Sequence, residues 1–177
     1  MIVPIILLAL WLQAVPPETG PVGQSAAPPN AVMVNSEILA TIVQSRSTNT
    51  RGYKVAIHSD GGATITISSV ASFTHSESSL AETLPKGTVD VTRLRSLLAQ
   101  IGDVSRLPTG HCPKSVSFGT TTAISYAGKT SGDLQCLREA AQPGASVPME
   151  TAQELKQCVQ AILGELKVND RRMAPNP

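Results

Sequence analysis

Tyr53, Val55 and Ile57 alternate with Lys54, Ala56 and His58, and after Ser59 to Gly62 the alternation resumes with Ile65 and Ile67 against Thr64, Thr66 and Ser68. A period of two on both sides of a short glycine-containing connection predicts a β-hairpin that buries one face. Its other face would carry Lys54, His58, Thr64, Thr66 and Ser68. Upstream, Ile38 to Ser45 fits two readings. It alternates well enough for a strand, while Ile38, Leu39, Ile42 and Val43 also fall at helical spacing. Downstream, Ser68 to Lys86 is rich in Ser, Thr and Glu with scattered apolar positions, which predicts a long surface loop.

The period then changes to that of a helix. Val91, Leu94, Leu97, Leu98 and Ile101 recur every three or four residues behind Asp90, an N-cap residue, and Gly102 stands where the helix should stop. Beyond it, Val116, Phe118, Thr120, Thr122, Ile124 and Tyr126 share one parity, so one long strand, or two joined by a bend near Gly119, would bury a single face. A turn at Ala127 to Lys129 returns the chain toward Leu134. Leu155, Val159, Ile162, Leu163 and Leu166 mark a second amphipathic helix with Pro148 in its first turn. The predicted order is β-β-α-β-β-α. The fold class is α+β, an antiparallel sheet of about four to five strands with two amphipathic helices on one face, because hairpin-linked strands and amphipathic helices bury their apolar sides against each other.

The chain ends differ in kind from this middle. Ile2 to Leu12 is an uncharged apolar run broken only by Pro4, and Pro16, Pro17 and Glu18 follow closely. That is the length of a signal-peptide core, short of the roughly 20 residues a spanning helix needs. Leu12 and Ala14 suit the two specificity positions before a cleavage site, so residues 1–14 are read as a signal peptide, although no Lys or Arg precedes the run. No Cys follows it, which excludes lipoprotein-type acylation there. Residues 15–31 hold five prolines and one charge and read as a disordered linker. Residues 32–168 form the single domain, and 169–177 read as a flexible tail. The expected location is secreted or periplasmic, with no stable membrane span after cleavage.

Composition narrows the function further. Fourteen Lys and Arg against 13 Asp and Glu leave a net charge of +1, so the chain has no broad basic field for nucleic acid. Three cysteines, Cys112, Cys136 and Cys158, leave one thiol over after any pairing. In an oxidising compartment a disulfide is expected. Cys112 and Cys136 flank the second β region and are the preferred pair, whose bridge would stabilise by roughly 3 kcal/mol on chain-entropy grounds. Cys136 with Cys158 is the alternative. Cys158 lies on the apolar side of the second helix and reads as a buried thiol.

The run Cys112, Lys114, Ser115, Ser117, Phe118, Gly119, Thr120, continued by Asp133, Leu134 and Cys136, resembles a pattern in uncharacterised exported bacterial proteins. The hairpin residues Gly52, Tyr53, Val55, Ile57, Asp60 and Gly61 are similar to a domain of unknown function in bacterial envelope proteins. The resemblance covers two short motifs. It implies the Cys112–Cys136 bridge and a bacterial envelope location, and it brings no catalytic residues.

Several chemical motifs are present in form only. Ala123 to Thr130 matches a relaxed phosphate-loop pattern ending in Gly128, Lys129 and Thr130, but its middle reads as a strand and no helix follows to offer its N-terminus. His111 beside Cys112 suggests a thiol and its base, yet sequence neighbours rarely present side chains to one another, and a bridged sulfur is no nucleophile. His58, His75 and His111 lack the spacing of a metal site. The pairs Glu77 with Glu82 and Asp60 with Asp133 read as solvated loop carboxylates. Lys167, Arg171 and Arg172, beside Asp170, read as cations at a helix C-terminus. No metal, cofactor or catalytic residue is therefore assigned.

Two functional classes remain. The first is a non-catalytic binding or cell-envelope module whose polar sheet face, Lys54, His58, Thr64, Thr66 and Ser68, meets a protein or glycan. The second is a small secreted hydrolase with a site built from His111 and a Ser or Asp on the strand after Cys112. Lacking a specific catalytic motif, the sequence favours the first, and it leaves the oligomeric state open.

Overall fold

The structure, a computed structural model, describes residues 36–68, 80–115, 119–138 and 146–173. The expected signal peptide, the Pro-rich linker, His75, Glu77, the Val116–Phe118 part of the second β region and the last four residues lie outside them.

The first described element is a strand, β1 (Ile38–Gln44), which resolves the ambiguity over these residues. Strand geometry wins because β1 is central. It hydrogen-bonds on one side to β2 (Tyr53–His58) and on the other to β5 (Thr122–Tyr126), both antiparallel. The predicted hairpin joins β2 to β3 (Ala63–Ile67) through the turn at 59–62. Within that turn Gly61 has φ +82° and the Asp60 carboxylate accepts the Gly62 N–H at 2.9 Å.

Part of the expected long loop is instead a strand, β4 (Leu80–Leu84), paired antiparallel with β3. At the other end, Ala127 and Gly128 both take positive φ, the two-residue hairpin geometry that leads into the short β6 (Lys129–Thr130). The result is one antiparallel sheet of six strands in the order β4-β3-β2-β1-β5-β6, one or two strands more than expected.

Ala40, Ile42, Val55, Ile57, Ile65, Ile67 and Ile124 are buried on one sheet face and share a core with the helices. Helix α1 (Thr92–Ile101) contributes Leu94, Leu97 and Leu98. The expected cap sits one residue out of place. Val91 occupies the N-cap position, and Asp90 just before it accepts the Thr92 N–H at 2.9 Å. Helix α2 (Met149–Glu165), entered directly from Pro148, contributes Ala152, Leu155, Cys158, Val159 and Ile162.

A third helix, α3 (Val168–Met173), occupies the beginning of the segment expected to be a flexible tail. Val168 is 1 % exposed, and Arg171 both donates to the Leu166 carbonyl and ion-pairs with Glu82 on β4. Two 3₁₀ turns complete the fold, Val104–Arg106 and Leu134–Cys136, each begun by an aspartate that accepts a backbone N–H two residues on. Among the described residues, no helix is long and apolar enough to cross a membrane.

Candidate functional site

The sheet face away from the helices carries one polar row by register, beside a mixed row in which Val43 is 40 % exposed. Thr130, Ser125, Thr41, Ala56, Thr64 and Thr83 are successive cross-strand partners, one from each of the six strands. Five of the six carry a hydroxyl, at the roughly 4.8 Å interval that separates strands. Ser125 and Thr130 hydrogen-bond to each other at 2.9 Å. A neighbouring row runs Ala123, Val43, Lys54, Thr66, Ala81.

Period-two alternation thus brings Lys54, Thr64 and Thr66 together on one face. Lys54 and Ser68 are exposed there, while Thr64 and Thr66 are half-buried. His58 plays a different part from the one its sequence position suggests. Its Nδ1 lies 3.0 Å from the Ser36 carbonyl oxygen, which can only accept, so Nδ1 carries a proton. Its Nε2 lies 3.1 Å from the Thr64 hydroxyl. Both ring nitrogens are engaged, and His58 braces the face.

A second cluster surrounds Cys112 and Cys136, which are joined in a disulfide with Cα atoms 5.7 Å apart. Hairpin register does not bring them together. Thr109 pairs with Leu137 in an isolated bridge, the Gly110 N–H donates to the Cys136 carbonyl at 2.8 Å, and the Arg138 N–H donates to that of Pro108 at 2.9 Å. This clamp sets Cys112 beside the 3₁₀ turn that carries Cys136.

Asp133 is the hub of the loop so closed. One carboxylate oxygen accepts the Thr122 N–H at 2.9 Å and the Gln135 N–H at 3.1 Å, and the other pairs with the Lys114 ammonium. Lys114 also donates to the Thr120 carbonyl. Burial alone would raise the pKa of Asp133, but Lys114 and the two backbone N–H groups outweigh it and hold the carboxyl below the usual range.

A cavity of about 360 Å³ borders the bridge, lined in part by His111, Lys114, Thr121 and Asp133. No hydrogen bond joins His111 to Asp133 among the described residues. Cys112, Asp133 and Cys136 place their donor atoms within 4.8 Å of one another, the only such group among the described residues. Both sulfurs are used in the bridge and the carboxylate is held by Lys114. Cys158, the remaining thiol, is buried, and burial pushes its pKa up despite nearby Arg93. These features describe a braced loop.

The other sequence candidates fall into local structural roles. Gly128 and Lys129 form the β5–β6 turn. Asp60 caps the β2–β3 turn, and Glu82 is held by Arg171. No periodicity or spacing signals the Asp133–Lys114 pair, because 19 residues separate the partners and the clamp that unites them is made by backbone bridging. No protein family, no curated protein and no solved structure matches this chain.

Proposed function

We propose that the chain is a secreted or periplasmic, non-catalytic binding module of a bacterial envelope, whose open sheet face contacts a glycan. The observation that carries this reading is the row across six strands in which five of the six side chains carry a hydroxyl, with Lys54 and Thr66 beside it. A row of short hydroxyls offers alternating donors and acceptors without deep side-chain relief, which suits an extended hydroxylated polymer better than an apolar protein surface. The apolar run at residues 2–12 supports export, with cleavage after Ala14. A disulfide is the chemistry of an oxidising compartment.

Co-sedimentation of the full chain with insoluble envelope polysaccharide tests the binding reading. Thr64→Arg and Thr66→Arg, checked by circular dichroism for an intact fold, should weaken retention about tenfold. Gln153→Arg on the exposed side of α2 should leave it unchanged. Absent retention, or retention indifferent to both face variants, overturns the assignment. Intact mass of exported protein tests the address. Loss of residues 1–14 removes Trp11, the single tryptophan, and a tryptophan emission from exported material refutes the cleavage.

A further inference from the structure

The buried sheet face changes character at one end. Its rows across β2, β1 and β5 begin at the middle of the sheet with Val55, Ile42 and Ile124, all 0 % exposed. At the next position of the same parity the row becomes Tyr53, Gln44 and Thr122. Apolar side chains would continue the core there, and Tyr53 and Thr122 are buried at 5 % and 6 % exposure. Polar residues at inward positions are where a chain departs from the pattern that builds its core, and such departures concentrate at functional sites.

Here the three residues form one wall of a cavity of about 250 Å³. The opposite wall comes from α2, with Lys156, Val159, Gln160 and Leu163, and the rim from Gln135 and from Asn169 of α3. We infer that this cavity is a binding site for an acidic sugar, a single ring bearing one carboxylate.

The lining supplies each part of that chemistry. Among the described residues that line it, Lys156 is the one cation and none is acidic. A ligand with one negative charge is therefore favoured over a neutral or cationic one. Gln44, Gln135, Gln160 and Asn169 present four carboxamides, each pairing a donor with an acceptor, the complement of ring hydroxyls. Two of these amides are pre-oriented. Gln44 donates to the Thr120 hydroxyl at 2.7 Å, and Gln135 donates to that of Thr122 at 3.0 Å. Leu134, Val159 and Leu163 offer apolar surface to the C–H side of a ring.

The size lies just below the usual range of ligand sites and suits one ring rather than a chain. This site lies on the helix side of the sheet and does not depend on the open-face reading.

The test is a titration of the isotope-labelled full chain with glucuronate and galacturonate, followed by NMR of the side-chain amides, with glucose and acetate as controls. A saturable shift of the Gln44, Gln135, Gln160 and Asn169 amides by a uronate is expected, with weaker binding of both controls. Lys156→Met keeps a helix-favouring, similarly shaped side chain and should weaken uronate binding at least about tenfold, with an unchanged melting temperature. Gln160→Leu, also on α2, should weaken both uronate and residual glucose binding. Overturning results are the absence of saturable amide shifts, equal affinity for acetate and uronate, or Lys156→Met binding as tightly as the native chain.

Discussion

Removal of the Asp133 carboxylate should loosen the whole bridged loop. Asp133 and Lys114 have side-chain exposures of 10 % and 22 %, so water screens their pair only in part. Asp133→Ala takes away the acceptor for two backbone N–H groups and strands the Lys114 ammonium, which among the described residues keeps only the Thr120 carbonyl. Two backbone bonds at about 1 kcal/mol each and a partly buried charge left unpaired give a loss of about 3 kcal/mol.

Asp133→Asn retains an acceptor for the backbone but not the charge, and should lose about 1 kcal/mol. A cycle with Lys114→Met should return a coupling of about 1 to 2 kcal/mol. The assay is urea unfolding followed by circular dichroism, with the disulfide verified by mass in every variant. The sign of the pH dependence is fixed by the depressed carboxyl. Its stabilisation is complete above the unfolded value of about 3.9 and is lost only as pH falls through the lower folded value. The gap between native chain and Asp133→Asn should therefore hold from neutral pH down to about 4 and close below it. A loss under about 1 kcal/mol for Asp133→Ala with the bridge intact would refute the hub.

Three further outcomes follow from the packing. Gly61→Ala places a Cβ 2.6 Å from the Val89 carbonyl oxygen at φ +82° and should lose about 3 kcal/mol, whereas Gly128→Ala, at φ +75° in open space, should lose only about 1 kcal/mol by thermal melt. Thiol titration should find no rapidly reactive cysteine in the native chain and one in denaturant, assigned to Cys158 by peptide mapping, and reducing the bridge should lower stability by about 3 kcal/mol. Ending the chain after Lys167 removes Val168 and the Arg171–Glu82 pair and exposes Leu166. A loss of about 2 to 3 kcal/mol in denaturant unfolding is expected, and a change under about 1 kcal/mol would show that α3 contributes nothing to the core.

Legibility in the sequence tracked how strongly one face of each element is buried. The β2–β3 hairpin and helices α1 and α2 bury clean apolar stripes, and their periods announce them. Strand β4 does not, because it is an edge. By register Leu80, Glu82 and Leu84 pair with Ile67, Ile65 and Ala63, so they are the β4 positions of one parity. A charge in the middle of that set destroys the alternation that a periodicity argument needs. Glu82 is tolerated because the edge leaves its side chain 51 % exposed, where Arg171 of α3 reaches it, and a charge on an edge strand discourages pairing with another chain. The missed strand and the missed helix are thus one omission, since each gives the other its partner.

The polar end row has the same origin and the opposite meaning. Gln44, Tyr53 and Thr122 sit where strands end, so a sequence reading takes them for the onset of loops. Only the register, Gln44 opposite both Tyr53 and Thr122, shows them to be a continuous inward-facing surface. Glu82 has a salt-bridge partner within the chain. For the end row the bonds from Gln44 to Thr120 and from Gln135 to Thr122 orient the amides, while Lys156 across the cavity has no carboxylate among the described lining residues. A cation beside ordered amides, with no anion among the described residues that line the cavity, suits a ligand that brings its own negative charge.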